Sequence, residues 1–428
     1  MGLSYMGLWR SPLYWPGAVL YDNLNNVVNV RALRFSGLDV LVVVFCVLVA
    51  IRMLTGHRTD ARRREPTANI TKLAFTVAFL TVVWLELWGL ARGGDFKNSL
   101  WQVRQLLWLP VLGGLFSYAL RGTEDVARVA RIVVAAACIK VALGMYFLLA
   151  IARPQGLDPA YVTTHGDSVL FTVAIAACVA RWLHRPTRAN LLLNLTVTPW
   201  ILLGIVINNR RLAFVGLFAI LAAMYSMLTG RVKRALQVGA LAALPVLALY
   251  IAIGSRHPHG IFAPAGSIVS VISQKDASSE TRDIENFNLL VTLKSGPLLG
   301  SGFGHEYQEV SKAYDISKAF AQYRFIAHNS VLWLWSIGGV VGFTALWLML
   351  ATGVFLAMRT YRRARGWEDR TAASIVLAAI IAYMIQAWGD MGTQSWVGTF
   401  LLAVSLALIG KLAVATGAWP SSDRVRIA

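Results

Sequence analysis

Cysteine is scarce in this chain, and the little there is lies in apolar surroundings. The 428 residues contain three cysteines, Cys46, Cys138 and Cys178, each inside an apolar run. A disulfide framework is therefore excluded, and we interpret the three as small apolar packing residues. The sequence also lacks low-complexity segments and convincing internal repeats. These absences argue against a small secreted scaffold and against a repeat protein.

Long polar stretches are also rare, because apolar runs of membrane-spanning length recur along almost the whole chain. Apolar residues make up 57% of the sequence, and the mean hydropathy is +0.59. A helix of about 20 apolar residues crosses the hydrocarbon core of a bilayer. The sequence therefore predicts an all-α polytopic membrane bundle, with residues 1–428 as a single transmembrane domain. Eleven firm spans are predicted near 37–54, 70–91, 100–120, 127–151, 166–182, 190–207, 212–229, 236–254, 329–357, 371–388 and 394–414.

A twelfth span at 11–30 is weaker, because Asp22 and three asparagines dilute its apolar residues. The start of the chain lacks the basic segment, short apolar core and small-residue site of a cleavable signal. We therefore expect the first span to anchor the chain. Whether 11–30 crosses the membrane decides on which side the N-terminus lies, and the sequence leaves both arrangements open.

The net charge of +19 comes from arginines that gather in alternate connections between the spans. These basic connections follow the spans at 37–54, 100–120, 166–182, 212–229 and 329–357. By the positive-inside rule, such connections lie in the cytoplasm. Contacts with anionic lipid headgroups explain the excess charge. Membrane lipids are thus expected partners, and no nucleic-acid partner is predicted.

The longest connection, 255–327, has a different character. It holds seven Lys and Arg against seven Asp and Glu, so its charge is near neutral. The other connections are short. The positive-inside rule therefore predicts that 255–327 is one large loop on the outer face of the membrane.

The external segments lack the residues of a metal or nucleotide site. They contain no paired carboxylates able to chelate a divalent ion, and His257-x-His259 with His305 lacks the partners of a tetrahedral zinc site. No Lys-Ser/Thr follows the run Gly300-x-Gly302-x-Gly304, so we interpret it as a tight turn with positive φ. We predict neither a metal nor a cofactor.

Arginines occupy two external positions where anion binding would explain them. Arg210 and Arg211 stand in an abrupt turn, Asn208–Arg211, between two spans, where the positive-inside rule disfavours positive charge. Arg282 lies in the large loop, on a predicted helix with Ser279 as its N-cap. Taken singly, the turn arginines could anchor lipid headgroups, and Arg282 could pair with a neighbouring carboxylate.

Two further ionisable residues lie on the same side of the membrane. His328 immediately precedes the span at 329–357, and Asp390 follows the span at 371–388. A histidine at the start of a span is commonly an interfacial anchor, and an aspartate in a turn is commonly structural. Together with the external arginines, they predict a cationic site of pyrophosphate size at the water–lipid boundary.

Three charged residues, Glu86, Arg104 and Lys140, fall inside predicted spans. Charges within the membrane are candidates for function by default. Glu86 and Arg104 could instead form a structural ion pair between helices, and we assign none of the three a role.

Several short motifs occur together in the second half of the chain. Arg282 precedes the run Gly296-Pro297-Leu298-Leu299-Gly300-Ser301-Gly302-Phe303-Gly304, and His328-Asn329-Ser330-Val331-Leu332 precedes Gly338-Gly339. With this set the chain resembles the O-antigen ligase/O-antigen polymerase superfamily of bacterial membrane glycosyltransferases. Asn209-Arg210-Arg211 is similar to the family's external arginine at the start of a span. The family's Ser-Arg-small pattern is replaced here by Asn-Arg-Arg-Leu, so the choice between Arg210 and Arg211 stays open.

The resemblance implies a GT-C-like membrane glycosyltransferase with twelve spans in the bacterial inner membrane and an active site facing the periplasm. The donor would be an O-antigen glycan linked to undecaprenyl diphosphate, and the acceptor a sugar hydroxyl of lipid A–core. Arg282 with Arg210 or Arg211 would bind the diphosphate, because arginine forks contact phosphate oxygens bidentately. His328, oriented by Asp390, would take the proton of the hydroxyl. Alternatively, His328 would bind the diphosphate as a cation.

Two other functions remain open from the sequence. A repeat-unit polymerase of the same superfamily would use the same residues with a growing glycan as acceptor. Such polymerases tend to carry two large external loops, whereas this chain has one. A transporter of lipid-linked glycans would show repeated halves and broken midplane helices. This chain instead has a single large loop, which lies in its second half. We therefore favour a metal-independent O-antigen ligase of lipopolysaccharide biosynthesis.

Overall fold

The computed structural model describes most of the chain outside the N-terminal segment and parts of the large loop. The described residues are 35–55, 65–159, 161–257, 277–312 and 322–420, with the isolated positions 20, 24, 262, 265, 266 and 315. The weak span 11–30, apart from Leu20 and Leu24, lies outside the described residues, as does His259.

Twelve α-helices have defined bounds in this part of the chain, and it contains no β-strand. They are α1 Gly37–Leu54, α2 Asn69–Ala91, α3 Phe96–Ala119, α4 Thr123–Tyr146, α5 His165–His184, α6 Arg188–Asn208, α7 Arg211–Met227, α8 Gly230–Arg256, α9 Ala277–Ser295, α10 Ser330–Arg363, α11 Trp367–Gly389 and α12 Trp396–Ala415. Every one of the eleven firm spans is found as a helix. The remaining helix, α9, lies in the large loop, and we name the end of the bundle that carries it the loop end.

Nine of the helices with described bounds are long and apolar enough to cross a membrane. Helix α7 is shorter, at 17 residues, and α3 is less apolar because it carries Arg104 and several amide side chains. Helix α3 packs between α2 and α12, and two of its polar side chains find partners within the protein: Arg104 pairs with Asp39 of α1, and Gln102 donates to backbone carbonyls of the large loop. The protein is therefore a polytopic helical membrane bundle, as the sequence predicts.

Burial separates a central set of helices from peripheral ones. Helices α5, α11 and α12 are mostly buried, whereas α8 buries only Gly254. The exposed side of α8 carries large apolar residues such as Val238, Leu241 and Val246. In a bilayer these side chains contact acyl chains, so α8 marks the periphery of the bundle.

Helix α10 is broken near the loop end, and the large loop fills the break. Gly339 has φ 57° and ψ −169°, a conformation incompatible with a helix. The Ile337 carbonyl accepts a hydrogen bond from the Gly302 N–H at 2.8 Å, and the Val340 N–H donates to the Pro297 carbonyl at 2.9 Å. Irregular backbone at membrane depth is tolerated where protein satisfies its polar groups, as it does here.

The glycine run forms the tight turn that the sequence predicts. Gly300, Gly302 and Gly304 all have positive φ, between 66° and 83°. A Cβ on Gly302 would overlap the backbone of Gly89 in α2, and Phe303 is fully buried. The run therefore docks the large loop between α2 and α10, and its glycines are required by this close backbone approach.

The intramembrane charges pair differently from the arrangement that the sequence suggested. Arg104 binds Asp39 of α1 through its Nε at 3.0 Å and its Nη2, and the Trp108 indole donates to the same carboxylate at 2.7 Å. Glu86 instead accepts a hydrogen bond from the Ser99 hydroxyl at 2.6 Å. The suggested Glu86–Arg104 pair is therefore wrong, and Arg104 ties α1 to α3.

Candidate active site at the loop end

The start of α5 is fixed to its neighbours by buried polar contacts. Thr164 and Asp167 form a reciprocal cap, in which the Thr164 N–H donates to the Asp167 carboxylate at 2.9 Å. The Asp167 side chain is fully buried and lies 3.3 Å from the ammonium of Lys140 in α4. A buried pair of this kind holds its helices in one register. The first residue of α5, His165, is consequently held at a defined position.

The turn between α6 and α7 places Arg210 beside that histidine. Asn209 ends α6 in the left-handed conformation with φ 48°, and Arg210 follows in an extended conformation. The Asn208 side-chain oxygen accepts a hydrogen bond from the Thr163 N–H at 3.0 Å. The abrupt turn predicted at Asn208–Arg211 is thus confirmed, and it is joined to the start of α5.

Arg210 lies in a partly enclosed cluster of polar and aromatic groups. Its Nη1 is 2.7 Å from His165 Nδ1 and 3.9 Å from an oxygen of Asp390, and its guanidinium carbon is 4.0 Å from the centre of the Tyr161 ring. Its side chain is only 12% exposed. Burial lowers the pKa of Arg210 to about 10, and the charge of Arg282 acts in the same direction. Arg210 therefore still carries its positive charge at neutral pH.

Asp390 ends α11 and contacts His165, not the side chain of His328. Its carboxylate is 8% exposed and lies against His165 Nδ1. The next residue, Met391, has φ 48° and donates its N–H to the His328 carbonyl at 2.7 Å. The expected orientation of the His328 ring by Asp390 is therefore not what the structure shows. Asp390 reaches His328 only through this neighbouring backbone contact.

A different carboxylate holds His328. The backbone N–H of His328 donates to Glu285 of α9 at 2.9 Å, and the Glu285 oxygens lie 3.2 and 3.3 Å from the ring Nδ1. Glu285 is nearly inaccessible, whereas the His328 side chain is 23% exposed. Asn329 caps α10 by accepting a hydrogen bond from the Leu332 N–H at 3.1 Å. The histidine is therefore fixed from both α9 and α10, with part of its ring open to the surface.

Arg282 lies on α9, one turn before Glu285. Helix α9 begins at Ala277, two residues before the predicted N-cap at Ser279. Glu285 holds His328, whose carbonyl accepts the Met391 N–H beside Asp390, and Asp390 in turn lies 3.9 Å from Arg210. The structure thus brings the predicted arginine, histidine and aspartate positions together at the loop end.

Of the two turn arginines, the structure places Arg210 in this cluster. Arg211 is the first residue of α7 and is half-buried. The contacts with His165, Asp390 and Tyr161 are all made by Arg210. The geometry therefore favours Arg210 over Arg211 as the site residue.

Sequence reasoning missed three members of the cluster, His165, Glu285 and Tyr161. A signal for His165 was present, because a histidine at the start of a span on the same side was the pattern that identified His328. Glu285 follows Arg282 by one helical turn, but only its docking onto the start of α10 reveals its partner. Tyr161 carried no signal that would separate it from other aromatic residues near the membrane boundary.

No group of three or more histidine, cysteine or acidic side chains has a metal-binding arrangement among the described residues. His305, one of the three histidines considered for zinc, lies with its Nε2 at 3.1 Å from the Gly89 carbonyl. Because His259 lies outside the described residues, the triplet as a whole has no structural description.

These features define a class of protein, a polytopic membrane bundle with two arginines and two histidine–carboxylate pairs gathered at one membrane face. Residues 196–347 match the family model described as O-antigen ligase. The match confirms the resemblance to that superfamily over about one third of the chain, a range that includes Arg210, Arg282 and His328. His165 and Asp390 lie outside it. Members of the superfamily are membrane enzymes of glycosyltransferase type, either ligases or polymerases. No curated protein matches the chain.

Proposed function

We propose that this protein is an O-antigen ligase, which transfers a glycan from undecaprenyl diphosphate to a sugar hydroxyl of lipid A–core. The observation that carries the proposal is the set of contacts that gathers the site residues at the loop end. Arg210 lies 3.9 Å from Asp390, the neighbouring Met391 N–H binds the His328 carbonyl, and Arg282 is one turn before the Glu285 that holds His328. We place this site at the periplasmic face of the bacterial inner membrane and propose that it works without a metal. Residues 1–428 would form one transmembrane domain, with 255–327 inserted as its large loop.

The arginines suit the leaving group of such a transfer. Breaking the bond between sugar and phosphate leaves negative charge on the departing diphosphate. Arg210 is held in place by Tyr161 and His165 and is largely shielded from solvent. Fixed donors in a partly dry site stabilise developing charge without reorganisation. We therefore assign diphosphate binding to Arg210 and Arg282.

His328 is placed to accept the proton of the acceptor hydroxyl. A carboxylate beside Nδ1 favours the tautomer in which Nδ1–H donates to Glu285, and this tautomer leaves a lone pair on Nε2. As the hydroxyl oxygen bonds to the sugar carbon, its proton passes to Nε2. The bond from that carbon to the phosphate oxygen breaks, and its electron pair leaves with the diphosphate. Glu285 orients the ring, as the sequence suggested for Asp390, and it also stabilises the imidazolium that forms.

Transfer by the purified full-length protein tests the proposal. The protein would be reconstituted in vesicles with glycan-linked undecaprenyl diphosphate and lipopolysaccharide that lacks O-antigen. A ligase joins the glycan to lipid A–core. A polymerase instead lengthens the glycan on undecaprenyl diphosphate, even when lipopolysaccharide is omitted, and that result would replace our proposal with the alternative.

Matched histidine variants show whether product depends on this site. His328→Ala should abolish most transfer, whereas His257→Ala, at an exposed position after α8, should leave it unchanged. Equal transfer by His328→Ala and His257→Ala would show that transfer does not depend on His328, and so would contradict the proposed site. Absence of any product from the wild-type protein would contradict both the ligase and the polymerase function.

A further inference from the structure

His165 stands between a cation and an anion that do not contact each other closely. Arg210 Nη1 approaches His165 Nδ1 to 2.7 Å, and Asp390 lies against the same nitrogen. The direct separation between Arg210 and Asp390 is 3.9 Å, which is too long for a hydrogen bond. Because Nδ1 carries either one proton or one lone pair, only one of these two contacts can be a hydrogen bond. The imidazole therefore stands between the two charges as a spacer.

The remaining contacts of Arg210 do not fix its orientation by themselves. The Tyr161 ring covers one face of the guanidinium at 4.0 Å, and a stacked ring permits rotation within its plane. The Nε atom is buried and has no hydrogen-bond partner among the described residues. Without His165, the guanidinium would be free to turn toward Asp390.

Arginine and carboxylate form strong paired hydrogen bonds when they meet directly. Asp390 is 8% exposed and Arg210 12% exposed, so such a pair would form in a partly dry environment. The Arg210–Asp390 pair would occupy the guanidinium N–H groups that a diphosphate needs, and it would neutralise the charge of Arg210. A group that separates the two residues therefore keeps the arginine available for a ligand.

We propose that His165 is a positioning residue that keeps Arg210 off Asp390, so that the guanidinium fork stays open to a diphosphate. The proposal rests on the proposed function for the identity of the anion. His165 does not touch the reacting atoms in this role. Its side chain is 46% exposed, and it lies outside the range that matches the family model.

Binding of inorganic pyrophosphate by the purified full-length protein tests this role without requiring catalysis. In His165→Ala, Arg210 pairs with Asp390 and no longer donates its charge-assisted hydrogen bond to pyrophosphate. Pyrophosphate binding should therefore weaken by about 10- to 100-fold. His165→Asn should stay near the wild type, because its amide can donate to Asp390 while accepting from Arg210. His257→Ala serves as the control at an exposed histidine of the described part.

A double variant separates positioning from a general structural role. If His165→Ala lets Arg210 pair with Asp390, adding Asp390→Asn removes the competing charge and should restore much of the pyrophosphate affinity. Restoration would also show that His165→Ala leaves the protein folded, which the thermal unfolding midpoint checks independently.

The outcomes distinguish this inference from the proposed function. Equal binding by the wild type and His165→Ala, or no restoration in the double variant, would overturn the positioning role. Absence of pyrophosphate binding by the wild type would overturn it as well. A wild type that binds pyrophosphate with the expected pattern of variants but transfers no glycan would leave the positioning role standing and contradict the ligase proposal.

Discussion

Glu285 holds His328 at two points, its backbone and its ring. One carboxylate oxygen accepts the His328 N–H at 2.9 Å, and both oxygens approach ring Nδ1 at 3.2–3.3 Å. Because Glu285 lies on α9, the large loop itself sets the orientation of the histidine. The loop is therefore part of the site, in addition to covering the bundle.

The first prediction separates the proposed base from the diphosphate ligands. His328→Ala should lower kcat by roughly 10²–10⁴ with little change in donor binding, because only the transition state needs the base. Glu285→Gln should lower kcat by less, since the amide still accepts the backbone hydrogen bond but no longer stabilises an imidazolium. Steady-state kcat and donor KM measure both. If His328→Ala lost donor binding as severely as Arg282→Ala, His328 would be a phosphate ligand.

The second prediction concerns pH and the charge at position 210. Burial and the Arg282 charge lower the pKa of Arg210 to about 10, and the same influences would lower that of a lysine there. Lysine starts from about 10.4, well below arginine, and so loses its proton at a lower pH. Arg210→Lys should therefore bind donor best near neutrality and lose affinity at a lower pH than the wild type does.

Donor KM measured from neutral to alkaline pH tests this difference. Arg256→Lys is the matched control, because Arg256 is exposed at the end of α8. If donor KM changed with pH in the same way for the wild type and Arg210→Lys, Arg210 would not bind the diphosphate.

The positions of the helices could be predicted from the sequence, because each crossing imposes the same length and apolar character. The site residues Arg210, Arg282, His328 and Asp390 could also be chosen, since topology assigns them to one membrane face. A shared face does not by itself bring residues into contact, so their grouping as one site stays a prediction.

The pairing of charges could not be predicted in the same way. Arg104 pairs with Asp39, 65 residues away, although Glu86 is closer in the sequence. Glu285 reaches His328 because the glycine run docks the loop into the break in α10. These partners depend on helix packing and on the backbone near Gly339, and neither is encoded in local composition.

The third prediction tests the orientation of the bundle. In a protein with its three native cysteines replaced, Ser279→Cys should react with a membrane-impermeant reagent from the periplasmic side. Gly366→Cys, between α10 and α11, should react only after the inner membrane is opened, because arginines crowd the neighbouring 359–370 segment. The reverse labelling pattern would place the site in the cytoplasm and contradict the use of a periplasmic donor.

The fourth prediction is that transfer continues in the presence of a chelator. We assign stabilisation of the diphosphate to Arg210 and Arg282, whose charges need no divalent ion. Glycan transfer in EDTA should match transfer in buffer without it. Loss of product that added Mg²⁺ or Mn²⁺ restores would show that a metal shares this role.

The last prediction tests the backbone contact that docks the loop. Gly302 has φ 79°, and a Cβ there would overlap Gly89 of α2; Gly93 has φ 86° but nothing within 4 Å. Gly93→Ala therefore incurs only the left-handed strain, about 1–2 kcal/mol, whereas Gly302→Ala must also push the loop away from α2. Gly302→Ala should lower the thermal unfolding midpoint further than Gly93→Ala does. It should also reduce transfer, because the loop carries Arg282 and Glu285. Similar midpoints and similar transfer for the two variants would mean that the Gly302–Gly89 contact does not position the loop.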